Sequence, residues 1–147
     1  MTTPYDISSV SASTQVADDG INYSTLDLGS DPVNTDGSIR LHDADFNNDG
    51  TKMYLLDGKQ GATNVVEYNL STPFDPSSAS YSSTLNTETD GVARFGMELA
   101  FDDDGTRMYF GEGSNDSLTS HKIYVYKLST PFSIASATFV GSHSLDL

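Results

Sequence analysis

Apolar residues along this chain come in short runs separated by turn-forming residues. Met53-Tyr54-Leu55-Leu56 and Met108-Tyr109-Phe110 are bounded by Asp-Gly and other glycine-rich turns. Val65 to Leu70 and Ile123 to Leu128 mix β-branched and aromatic residues at strand length. No window sustains a 3.6-residue apolar period with a cap and a stop, so nothing longer than a single helical turn is expected. Many short strands at regular spacing predict an all-β chain.

The pattern also repeats. Phe46-Asn47-Asn48-Asp49-Gly50-Thr51-Lys52-Met53-Tyr54 returns 55 residues later as Phe101-Asp102-Asp103-Asp104-Gly105-Thr106-Arg107-Met108-Tyr109. Each copy leads into an alternating strand with one exit, Asn69-Leu70-Ser71-Thr72-Pro73-Phe74 and Lys127-Leu128-Ser129-Thr130-Pro131-Phe132. A period of this length marks a repeat architecture. Four strands are expected per unit: A at 39–46 and 94–101, B at 52–56 and 107–110, C at 64–70 and 122–128, D at 79–85 and 137–145. Asp-Gly between A and B signals a hairpin, because glycine supplies positive φ. Proline between C and D fixes φ and removes a donor, which suits a corner leading to an edge strand. Thr3-Pro4-Tyr5-Asp6 matches Thr72-Pro73-Phe74-Asp75, and Tyr23-Ser24-Thr25-Leu26-Asp27-Leu28 rhymes with Ser142-His143-Ser144-Leu145-Asp146-Leu147. The chain therefore divides into an outer strand and connection (1–38), a first unit (39–85) and a second (86–147).

Four-stranded units with an Asp-Gly-Thr-Lys/Arg-Met-Tyr hairpin resemble β-propeller blades of the TolB-like and YVTN-like class. The Leu-Ser-Thr-Pro-Phe corner resembles tandem repeats of marine bacterial and phage-borne propeller proteins. The resemblance covers nearly the whole chain and implies two four-stranded blades plus one spare outer strand. Propellers typically use four to eight blades, so it also implies a ring closed by oligomerisation, a trimer first and a tetramer next. The spare strand at 10–16, or the segment 137–145, is expected to complete a blade of the next subunit. The fold class hosts unrelated activities. In such a ring the A–B and C–D turns lie on one side, and those turns agree between the copies. The B–C loops (57–63 and 111–121) and the D–A connections (27–38 and 86–93) differ, and variable loops are where binding is usually placed.

Charge narrows the partners. The net charge is −14, with 21 acidic residues against 7 basic. Phosphate and anionic membranes call for basic patches, so neither nucleic acid nor a membrane surface is an expected partner. No run approaches the ~18 apolar residues of a membrane span. Cysteine is absent, which excludes a disulfide framework and thiolate metal ligation. Met1-Thr2-Thr3-Pro4-Tyr5-Asp6 has no basic start or apolar run, so no signal peptide is expected; an extracellular or virion-associated setting is favoured through the resemblance.

Candidate chemistry is sparse. Asp45-x-Asn47-x-Asp49-Gly50 opens with the spacing of a calcium loop, but Leu56 stands at position twelve and Ala100 replaces Asp45 in the second copy. A structural Asx/Gly hairpin is the first reading and calcium the second. Asp43 and Glu98 align on the two Asp-Gly turns; they either gather carboxylates around a ring axis, where a cation would be recruited, or bond across blades to an amide or hydroxyl. Aligning instead on Thr35-Asp36-Gly37 and Thr89-Asp90-Gly91 pairs Arg40 with Arg94. These arginines either clamp an anion or neutralise nearby aspartates. His42, His121 and His143 show no metal spacing. Tyr23, Phe95 and His121 complete the candidates near the variable loops. No G-x-S-x-G, nucleophile–base pair or phosphate-binding glycine loop is present. The expected function is a non-enzymatic binding or structural module without a cofactor. An oligomeric carbohydrate-binding lectin is the alternative, weakened by the lack of Trp, and a calcium-dependent hydrolase or lyase is the second.

Overall fold

The structure, a computed structural model, describes residues 41–59, 62–87, 90, 96–112 and 121–145. The calls on 1–38, including the spare outer strand, and on Tyr23, Arg40, Arg94 and Phe95 lie outside them.

The chain is all-β, with two four-stranded antiparallel sheets. The first holds β1 (Leu41–Phe46), β2 (Lys52–Lys59), β3 (Ala62–Leu70) and β4 (Ala79–Asn86) in that order. The second holds β5 (Gly96–Phe101), β6 (Arg107–Glu112), β7 (His121–Leu128) and β8 (Ala137–Leu145). Among the described residues there is no α-helix; a 3₁₀ turn stands at each corner, Pro76–Ser78 and Ile134–Ser136. The segment 137–145 is the fourth strand of its own sheet, paired along β7. The strands run further than expected into the first B–C loop, read at 57–63. Asp57-Gly58-Lys59 continues β2, and its partners Asn64, Thr63 and Ala62 continue β3. Glycine marks no turn here because the ladder runs through it.

The repeated motifs lock each sheet at one end. Gly50 and Gly105 have φ of 69° and 67°, the left-handed conformation that the Asp-Gly pattern requires. The Gly50 carbonyl accepts the Phe74 amide (2.9 Å) and the Gly105 carbonyl the Phe132 amide (2.9 Å). Leu70 N donates to Thr51 O and Leu128 N to Thr106 O, both at 2.8 Å. The hairpin and the corner are thus one joint, which explains why both sequences recur together. Phe74 and Phe132 also sit at positive φ, 59° and 56°, where a bulky residue is rare.

The sheets pack through non-equivalent faces. Tyr54, Leu56 and Val65 of the first sheet form one core with Leu99, Met108, Phe110, Tyr124, Tyr126, Leu128 and Ile134 of the second. The repeat equivalents of Met108, Phe110, Tyr124, Tyr126 and Leu128 are Met53, Leu55, Val66, Tyr68 and Leu70, which lie on the other face of the first sheet as a separate buried cluster. β2 and β3 are therefore buried on both sides. β6 and β7 alternate, with Tyr109, Gly111, Ile123 and Val125 only half-buried on the side away from the first sheet.

Hydrogen bonds index this contact. Tyr54 OH donates to the Phe132 carbonyl (2.6 Å), and the Leu99 amide to Asp43 Oδ2 (2.8 Å). His42 Nδ1 bonds the Gly96 carbonyl at 2.6 Å, and the Gly96 amide donates to Thr63 Oγ1 at 3.2 Å. Buried Glu67 accepts the Ile134 amide on Oε2 (2.8 Å), while Oε1 pairs with Lys52. Each buried large apolar side chain stabilises by about 1.5–3 kcal/mol and each hydrogen bond by about 0.5–1.5 kcal/mol net. Apolar burial holds the sheets together; the hydrogen bonds set their register.

Candidate functional site

The described sequence candidates fall into two groups. The first surrounds the β1–β2 hairpin. Asp45 Oδ1 accepts the Phe46 amide (2.8 Å), and Asn47 Oδ1 accepts the Lys52 amide (2.8 Å). Asp49 Oδ1 takes both the Thr51 amide (3.0 Å) and hydroxyl (2.6 Å). These oxygens brace the turn. The second copy does the same with Asp102, Asp104, Thr106 and Arg107. The Thr51 hydroxyl and amide hold the Asp49 carboxyl below its ordinary pKa, and Thr106 does so for Asp104. Burial raises Asp45, with the Phe46 amide opposing and the Asp43 charge adding to the rise. Among the described residues no three His, Asp or Glu side chains come close enough to hold a metal ion.

Asp43 and Glu98 occupy matching places beside a register shift in their inner strands, after Leu41 and Gly96 respectively. Alignment on the Asp-Gly turns is therefore the one the strands adopt. Asp43 spends one oxygen on the Ala44 amide (2.9 Å) and the other on the Leu99 amide of the neighbouring sheet. That is the sheet-to-sheet bond weighed above. Glu98 is exposed, and its side chain makes no hydrogen bond among the described residues.

The second group lies at the opposite end of the second sheet. Glu98 and His121 line one cavity of about 380 Å³ with Met97, Gly111, Glu112, Lys122, Ile123 and Leu145. Gly111 forms its floor: a Cβ there would have nothing within 4 Å. At the wall, Tyr124 OH donates to Glu112 Oε2 (2.6 Å). Burial and then that bond raise the Tyr124 pKa; burial and the bond to Asp90 (2.8 Å) do so for Tyr126. Both phenols are neutral donors, not bases. The cavity is lined by apolar Met97, Ile123 and Leu145, two glutamates, Lys122 and His121, with no nucleophile paired to a base. Its emptiness over Gly111 was not legible in the sequence, because only pairing with β5 and β7 brings Glu98 and Ile123 alongside.

Comparison with protein-family models, with curated proteins and with solved structures gives no match.

Proposed function

We propose that this chain is a non-enzymatic binding or structural module of β-propeller type, supplying two blades and closing its ring with further copies of itself. What supports the reading is the packing of the two sheets through non-equivalent faces. Such a contact is head-to-tail, the class of contact from which rings arise when the rotation closes. Two blades per chain make a trimer with six blades the first expectation and a tetramer with eight the next, within the usual range. The module works without a cofactor. Glycan is the leading small partner, at an extracellular or virion surface. Electron-microscopy class averages test the assembly: six-lobed rings support it, whereas compact single particles contradict it. A substrate panel of glycosides and esters with calcium present should give no turnover; measurable turnover would move the reading to a hydrolase or lyase.

A further inference from the structure

Resting on that assembly reading, we infer that the half-open face of the second sheet seats a second copy of this chain, which inserts Leu41 into the hollow over Gly111. Four contacts between the two sheets can be set beside the residue pairs that would repeat them between copies. In the chain, Gly96 of β5 lies on Leu56 of β2: a Cβ on Gly96 would be 3.2 Å from the Leu56 methyls and 2.8 Å from Thr63. The equivalent pair between copies is Leu41 against Gly111. Large and small have changed places on both surfaces at once. Leu41 is 39% exposed, and Gly111 has open space above it in a cavity of about 380 Å³.

A second contact changes in the same matched way. In the chain the Ile134 amide donates to the buried Glu67 carboxylate at 2.8 Å. The equivalents are Pro76, which has no amide hydrogen, and Val125, which has no acceptor. An unpaired buried donor or acceptor costs about 1–3 kcal/mol, so losing only one of the two would be penalised; both are lost. A third contact is kept. Tyr54 OH binds the Phe132 carbonyl, and its counterparts are Tyr109 and Phe74, the latter 58% exposed. The exposed bond from Asn48 Nδ2 to the Asp103 carbonyl has no counterpart, because Asp103 offers no donor. The centre of the first sheet's outer face is already buried, so the second copy makes contact at the two exposed ends of the sheet, through Leu41 at one end and Phe74 beside the Gly50 hairpin at the other.

The chain has no cysteine, so a disulfide can be placed at will. Single variants Leu41→Cys and Gly111→Cys, mixed under mild oxidation, should give a cross-linked heterodimer; Leu41→Cys mixed with Val140→Cys should not. Gly111→Leu should shift the oligomer toward monomer with an unchanged circular-dichroism spectrum, and adding Leu41→Gly should restore assembly. If the parent assembles but the 41–111 pair does not cross-link and Gly111→Leu leaves the mass unchanged, this surface is wrong and assembly stands. A monomeric parent overturns both.

Discussion

Gly50 and Gly105 carry two constraints each. Positive φ admits glycine cheaply, and a Cβ would also meet the ring of Phe74 at 2.4 Å or of Phe132 at 2.2 Å. Gly50→Val and Gly105→Val should each cost about 1–3 kcal/mol from backbone strain, with the displaced ring adding to it. Thermal melting of the two variants checks this; a parent-like melt for either contradicts the joint between hairpin and corner. Glycine's role was legible in Asn-Asp-Gly-Thr and Asp-Asp-Gly-Thr. Positive φ at Phe74 and Phe132 was not, since nothing in a Thr-Pro-Phe triplet signals it. It arises at a corner that leaves its strand at Leu70 or Leu128, where the Phe74 or Phe132 amide must still reach the Gly50 or Gly105 carbonyl.

At the scale of elements, the hairpin turns are electrostatic devices. Asp49 and Asp104 have folded pKa values below the ordinary 3.8, set by Thr51 and Thr106. A depressed carboxylate contributes stability that is present above its unfolded pKa and lost as pH falls through the folded value. Melting temperature should therefore drop below about pH 3.8, and Asp49→Ala with Asp104→Ala should flatten that drop. An unchanged acid slope in the double variant would show that the two carboxylates bear no such load. The same turns bear on calcium. Because Asp45, Asn47 and Asp49 accept backbone amides, melting with excess chelator should equal melting with millimolar calcium. A large chelator-induced fall would reveal an ion stabilising the native state by mass action. Strand positions were readable from alternation and repeat, within a few residues. Long-range partners were not: Asp43 with Leu99, Glu67 with Ile134 and Tyr54 with Phe132 depend on how one sheet lies on another, which no local pattern encodes.

For the whole molecule, the asymmetry between the sheets carries most weight. The central strands of the first sheet, β2 and β3, are buried on both faces, those of the second, β6 and β7, on one. The residues that differ between repeats on these surfaces, Leu56 and Gly111, Glu67 and Val125, Gly96 and Leu41, Ile134 and Pro76, are those that in the proposed assembly would distinguish a contact within the chain from one between chains. The cavity over Gly111 then belongs to the assembly, and a small partner would be sought at its rim near Glu98 and His121. The most direct measurement of the central claim is the solution mass by light scattering at micromolar concentration. The account predicts a species of three chains, or of four if the ring holds eight blades. A stable, well-folded monomer at the same concentration would contradict it.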